Sequence, residues 1–237
     1  KIDFEMNKRE FITHVGNYKG KKITVMSTGM GPDNIEIFFT ELDALVNIDL
    51  KKKIVKPKKR SLNIIRIGTS GAIQEDIPVG SHVASEYGIG LDNLMCFYEY
   101  QQTEFESTIG SEIQKIAKLP FKPYVAKGSV DLLNKISEGM VIGNTVTSPG
   151  FYAPQGRKIR LDIKFPQLLD DLSRYHHKDF WLTNFEMETS ALYAMANMLG
   201  HQMLSVNAVI ANRIKGTFAK NPYPTIDSLI KKVLDRL

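Results

Sequence analysis

The chain has 237 residues, 43% of them hydrophobic, which is the size at which one α/β domain buries its core without help from disulfides or metals. Its one cysteine, Cys96, excludes an internal bridge, and no apolar stretch approaches the ~18 residues of a membrane span. The first residues, KIDFEMNKRE, are charged from the outset and carry neither the apolar segment of a secretory signal nor an initiator Met, so the expectation is a soluble, cytoplasmic protein with further chain preceding Lys1.

In chain order, β-branched runs at residues 22–27, 62–67, 81–85, 140–147 and 204–210 read as strands. Between them lie helical patterns. Residues 33–46 place Ile35, Phe38, Phe39, Leu42 and Leu45 on one stripe, and Ile226, Leu229, Ile230, Val233, Leu234 and Leu237 do the same at the C-terminus. Residues 186–199 carry Met187, Ala191, Leu192, Ala194, Met195 and Met198 at helical spacing, with Gly200 as the C′ residue and two glutamates in the first turn. This alternation predicts a single α/β domain over residues 1–237, a central mixed sheet flanked by helices.

The net charge of +5 is concentrated in residues 51–60, seven of which are basic. Removing those seven from the 31 basic residues leaves 24 against 26 acidic, so the rest of the chain is slightly acidic. The run reads as a solvated loop, and it contains no aromatic residue on which a base could stack. A module that contacts RNA through this run is the alternative outside enzymology.

Three segments carry chemistry. In Ile65-Arg66-Ile67-Gly68-Thr69-Ser70-Gly71-Ala72 an apolar strand runs into a small-residue turn. Amides, hydroxyls and a guanidinium there suit an oxyanion such as phosphate, and an arginine inside an apolar strand demands a partner. In Asn184-Phe185-Glu186-Met187-Glu188-Thr189 two acids open a helix. Carboxylates favour that place through the helix dipole, but Glu188 could equally accept both hydroxyls of a vicinal diol, with Met187 packed on the sugar. The third, Thr147-Ser148-Pro149-Gly150-Phe151-Tyr152-Ala153-Pro154-Gln155-Gly156-Arg157, is a loop by its prolines and glycines. It offers a flat ring, an amide and a guanidinium, and a pyrimidine edge presents two carbonyl acceptors and one N–H donor.

Together with Arg9-Glu10-Phe11, Ser27-Thr28-Gly29-Met30-Gly31-Pro32 and Val209-Ile210-Ala211-Asn212-Arg213, these segments resemble the nucleoside phosphorylase family in its uridine phosphorylase branch, over nearly the whole chain. The resemblance implies a partly barrel-like sheet and phosphorolysis of uridine to uracil and ribose 1-phosphate. It implies Arg66 and Thr69 as phosphate ligands, joined by Arg9 from a neighbouring subunit. Thr69, Glu186, Met187 and Glu188 would line the ribose, Gln155 and Arg157 would read the base, Phe151 would pack on it, Gly71 would lie beneath it, and Arg213 would support it. Arg66, Arg157, Gln155 and Glu188 would carry the catalysis. Inorganic phosphate is the co-substrate, no cofactor, nucleic acid or membrane is involved, and a homodimer is the active unit, assembled into a hexamer.

The purine branch has an aspartate where this chain reads Ala211-Asn212-Arg213, which favours a pyrimidine and leaves a purine nucleoside phosphorylase as the nearest alternative. A nucleosidase, using water, is the next. Where the family has a glycine-rich phosphate loop with its own arginine, this chain has not yet begun, so either the sequence is truncated or the phosphate site is incomplete. Residues 51–60 stand as an insertion. No metal is expected, since His14, His82, His176, His177 and His201 lack ligand spacing and the adjacent pair at 176 and 177 reads as surface; the resemblance adds a weakly held monovalent cation near Glu10. Cys96 reads as a buried or incidental thiol.

Overall fold

The computed structural model describes residues 1–9 and 11–237. Five strands close on themselves as a barrel: β6 (Asn63–Ala72), β7 (His82–Gly90), β9 (Val141–Thr147), β11 (Phe180–Glu186) and β12 (Gln202–Asn212). The circuit runs β12-β6-β11-β9-β7 and returns to β12. It is mixed: β12 lies parallel to β6, and β9 parallel to both β11 and β7, while β11 opposes β6 and β7 opposes β12. The closing ladder pairs Val206 with Ala84, Asn207 with Val83 and Ala208 with His82. Closure leaves no free edge on the five central strands.

Six α-helices are present among the described residues: α1 (Pro32–Asn47), α2 (Glu104–Ile116), α3 (Val130–Ile136), α4 (Leu168–Ser173), α5 (Thr189–Leu199) and α6 (Tyr223–Arg236). Their apolar stripes cover the barrel. Ile109 and Ile113 of α2 and Leu168 and Leu172 of α4 pack with Ile89, Val146, Leu182 and Phe185. Leu229 and Val233 of α6 join Leu132 and Ile136 of α3 over Leu204, Val206 and Ala208. Ile35, Phe38 and Phe39 of α1 meet Ala191, Leu192 and Met195 of α5. The α2 terminus is fixed by a capping box, in which Thr103 and Glu106 satisfy one another's backbone N–H groups.

Smaller strands complete the fold. β1 (Ile2–Lys8), β2 (Phe11–Tyr18) and β3 (Lys21–Met26) form an antiparallel meander. β4 (Ile48–Asp49) and β5 (Ile54–Val55) make a short hairpin, β8 (Tyr124–Lys127) extends the barrel sheet beside β7, β10 (His176–His177) pairs with β11, and β13 (Thr217–Phe218) pairs with β12.

Several expectations change against this frame. The segment 68–71 is not a turn but part of β6, which runs without interruption to Ala72. The helix expected over 186–199 begins at Thr189, because Glu186 is held in the β11 ladder opposite Thr147 and Glu188 is the N-cap. Gly200 does close the helix in the left-handed region, φ 77°. The basic run is largely exposed, as a solvated segment should be, but it is ordered: residues 51–53 lie in the turn of the β4–β5 hairpin, and Asn47 bonds both the N–H and C=O of Arg60. Cys96 is exposed, not buried. His177 is half-buried against Glu112 at 2.9 Å.

Candidate active site

Arg66 sits in the middle of β6, and its guanidinium finds two acids and two neutral acceptors. Nη2 donates to Glu188 Oε2 at 2.5 Å and lies 3.3 Å from Glu186 Oε2. Nη1 donates to Asn207 Oδ1 at 2.8 Å and lies 3.4 Å from Ser205 Oγ. A partner for a buried guanidinium is what the physics of the strand demanded. The Arg66 side chain keeps 16% of its surface exposed, so a ligand can reach it.

The two glutamates divide the work. Glu186 accepts the Thr147 hydroxyl at 2.7 Å and the backbone N–H groups of Glu188 and Thr189 at 2.9 and 3.0 Å. Its carboxylate therefore caps α5 from two residues upstream and is itself buried. Glu188 is the freer group. Apart from Arg66, it accepts one bond among the described residues, from the Gly31 N–H at 2.8 Å. Gly31 presents that amide from a φ of 92°, a conformation that side-chain-bearing residues rarely adopt. Burial raises the Glu188 carboxyl above the usual carboxylate range, opposed by the Arg66 charge and reinforced by the charge of Glu186.

A second cluster adjoins the first through the β6–β11 ladder, where Gly71 pairs with Phe185. Arg213 runs beside Gly71, so close that a Cβ at 71 would lie 3.2 Å from its Cγ. Its Nη2 donates to the Gln155 carbonyl at 2.8 Å. Arg157 donates to Gln155 Oε1 and to the Phe151 carbonyl, both at 2.6 Å, and its guanidinium stands 4.0 Å from the centre of the Phe151 ring. Gln155 ends the 3₁₀ turn Ala153–Gln155 and is buried, while Phe151 is exposed. The loop is tied to the first cluster by the Ser148 N–H, which donates to the Glu186 carbonyl at 2.9 Å.

This second cluster is cationic. Burial and the neighbouring Arg157 charge pull the Arg213 pKa down to about 10, and burial likewise lowers that of Arg157. Arg213 Nη1 is buried without a hydrogen-bond partner among the described residues. Two guanidinium groups held at the rim of one site favour whatever carries negative charge between them.

The fold thus brings Arg66, Glu186 and Glu188 into one cluster and Gly71, Phe151, Gln155, Arg157 and Arg213 into the next. Met187 is half-buried between the two acids, whereas Thr69 is half-buried on β6 and takes no part in the hydrogen bonding of either cluster. Arg9 stands exposed at the end of β1 with φ 57°, apart from both clusters' hydrogen bonds. Glu10, near which a monovalent cation was expected, lies outside the described residues. Four supporting residues carry no role in the sequence reading: Gly31, Thr147, Ser205 and Asn207. The signal that singled out Arg66, a polar side chain in an apolar strand, was equally present at Asn207.

Among the described residues no helix is long and apolar enough to cross a membrane, and no group of three or more His, Cys, Asp or Glu residues gathers as a metal site.

Comparison with known proteins agrees with this geometry. The chain is 31% identical over 216 residues to the uridine phosphorylase of Thermococcus kodakarensis, an alignment spanning 90% of this chain and 66% of that protein, just under two thirds of its length. It is also 28% identical over 226 residues to the DeoD-type purine nucleoside phosphorylase of Oceanobacillus iheyensis, covering 94% of this chain and 79% of that one. Its fold superposes with a TM-score of 0.86, at 26% identity, on a Trypanosoma brucei nucleoside phosphorylase whose structure is described as showing uridine phosphorylase activity, covering 99% of this chain and 84% of the other. The sequence pattern of the phosphorylase superfamily matches residues 1–231. Through that match along almost its full length, and a barrel that sets an arginine against paired glutamates beside a cationic loop, the chain belongs to the phosphorylase superfamily.

Proposed function

We propose that the protein cleaves pyrimidine nucleosides with inorganic phosphate, converting uridine to uracil and ribose 1-phosphate. The observation that carries this reading is the 2.5 Å contact between Arg66 and Glu188, an anion-binding group and a diol-binding group at one point, with the Gln155, Arg157 and Arg213 cluster alongside.

Phosphate takes Arg66, assisted by Thr69 and by Arg9 from a second subunit. The ribose diol takes Glu188, Met187 packs on the sugar, and Glu186 holds Glu188 in place by capping α5. Fixing both reactants makes the attack of a phosphate oxygen on C1′ effectively intramolecular. As the glycosidic bond lengthens, its electron pair moves onto the base. Arg157, aligned by Gln155, meets that charge, with Arg213 supporting Gln155 from the other side and Phe151 and Gly71 bracketing the ring. No cofactor or metal takes part.

The choice of a pyrimidine is supported by Asn212, which lies in the stretch where the purine branch carries its aspartate. Its Nδ2 donates to the carbonyls of Gln74 and Ile77, and its Oδ1 accepts from the N–H groups of Ile214 and Lys215, at 2.8–3.1 Å. A side chain so occupied has nothing to offer a base. The purine relative at 28% identity favours a second reading, purine nucleoside phosphorolysis, in which Arg157 and Gln155 would not be essential. A homodimer follows from the role given to Arg9, and the assembly of such dimers into a hexamer rests on the family resemblance alone. The dimer is supported by β1, whose Ile2, Phe4 and Met6 are 58%, 53% and 49% exposed. A reducing cytoplasm suits the exposed Cys96.

The test is a substrate panel in phosphate buffer, with uridine, thymidine, 2′-deoxyuridine and inosine and chromatographic detection of free base. Uracil released from uridine well ahead of hypoxanthine from inosine is the expected result; the reverse order would overturn the pyrimidine assignment.

A further inference from the structure

We infer that Asn207 is a positioning residue for phosphate, one that orients the Arg66 guanidinium without neutralising it. This rests on the reading of Arg66 as a phosphate ligand. The alternation of β12 directs Leu204, Val206 and Ala208 outward into the apolar layer under α3 and α6, and Ser205 and Asn207 to the opposite face. Asn207 is 0% exposed. It pairs with Gly68 of β6 on one side and Val83 of β7 on the other, so it stands where the barrel closes, directly beside the strand that carries Arg66.

Gly68 completes the arrangement. A Cβ at that position would fall 2.3–2.6 Å from Nη1, Cζ and Nη2 of Arg66. The guanidinium therefore folds back over the bare backbone two residues further along its own strand, and that path brings Nη1 to Asn207 Oδ1 at 2.8 Å. The two nitrogens are held differently. Nη2 faces the carboxylates of Glu186 and Glu188, whereas Nη1 faces, among the described residues, the neutral oxygens of Asn207 and Ser205. A third acid at Nη1 would leave the arginine surrounded by negative charge and poorly suited to an anion. An amide oxygen fixes the plane of the group and leaves its charge available to phosphate.

The amide is retained at a cost. Asn207 Nδ2 is buried with no hydrogen-bond partner among the described residues, and an apolar residue would avoid that penalty. Turning the amide over does not relieve it, because two donors would then face each other at Nη1. A buried polar group that gains the fold so little is explained by what its oxygen does for Arg66.

The test uses the full chain as Asn207→Ala and Asn207→Asp, with KM for phosphate and KM for the nucleoside measured separately and thermal unfolding as a control. Losing a hydrogen bond to a charged group predicts a rise in phosphate KM of about tenfold or more for Asn207→Ala, with nucleoside KM nearly unchanged. Asn207→Asp keeps the shape and the fold, and its phosphate KM rises further as pH increases and the new carboxyl ionises. The inference is overturned if both folded variants keep the wild-type phosphate KM, or if both constants rise together. Should Asn207→Ala not fold, the shape-preserving Asn207→Asp decides alone through the pH trend. Wild-type turnover indifferent to phosphate is a separate failure, which removes the phosphate role of Arg66 itself.

Discussion

Glu188→Ala is the substitution whose consequence follows most directly from the geometry. In the structure the Glu188 carboxylate is buried, with one oxygen on the Gly31 amide and the other on Arg66. In the proposed complex it accepts both ribose hydroxyls. A hydrogen bond to a charged group contributes about 1.5–3 kcal/mol, so losing two costs about 3–6 kcal/mol, or roughly 10²–10⁴ in kcat/KM for a riboside. A 2′-deoxyriboside offers one hydroxyl and should lose only about 10–10². The assay is kcat/KM for uridine and 2′-deoxyuridine with the wild type and the variant. The difference between the two substrates matters more than either loss, because any general damage to Arg66 or to the fold affects both equally. Equal losses would refute the diol contact, whatever their size.

Arg157→Ala should lower kcat on uridine by roughly 10²–10³, the usual consequence of removing a donor aimed at transition-state charge, about 2.7–4 kcal/mol; near-normal kcat in steady-state assays removes Arg157 from the mechanism. Because the Glu188 carboxyl is raised by burial, kcat/KM should fall on the acid side above the ordinary carboxylate range, and Glu188→Gln should abolish that limb; a limb unchanged in the variant contradicts the assignment. The stability sign is opposite to that of a salt-bridged acid with a depressed pKa. Between the ordinary carboxylate value and the raised one, the unfolded chain has released a proton that the native state still holds. Stability therefore declines as pH rises through that window, and denaturant titrations of Glu188→Gln should show less of the decline than wild type. Asn212→Ala, which removes four bonds to the loops after β6 and β12, should cost about 1–3 kcal/mol in chemical denaturation; an unchanged midpoint would show that those loops are held by other contacts.

The sequence made some of this site legible and hid the rest for identifiable reasons. Arg66 stood out because a charged residue in an apolar strand requires partners; it does lie on a strand, but that its partners are Glu188, Glu186 and Asn207 could not be read from the sequence, where Glu188 stood only as a diol acceptor. The glycines at 68 and 71 suggested a turn, since glycine is the commonest turn residue. They are instead strand positions where side chains of other residues, Arg66 and Arg213, need the space. Helical periodicity ran on through Met187 and the glutamates, and local propensity gave no reason to stop it. The stop is tertiary: β11 remains paired with β9 as far as Glu186 and Thr147, which moves Glu186 from the first turn to the cap that holds it. β1 and β11 were not read as strands, since IDFEMNK and FWLTNFE mix apolar and polar residues without the β-branched runs used as markers. β1 does alternate, Ile2, Phe4 and Met6 against Asp3, Glu5 and Asn7, but it has no β-branched run and pairs in a meander outside the barrel, whereas β11 is buried along most of its length and shows no one-faced pattern.

The claim on which the account turns is that the anion held at Arg66 is the nucleophile. The most direct measurement is phosphorus NMR of the protein with uridine and inorganic phosphate, followed in parallel with uracil release. A sugar 1-phosphate resonance growing in step with uracil, with no uracil formed when phosphate is withheld, is the predicted result. Uracil released at the same rate without phosphate, accompanied by free ribose, would contradict it.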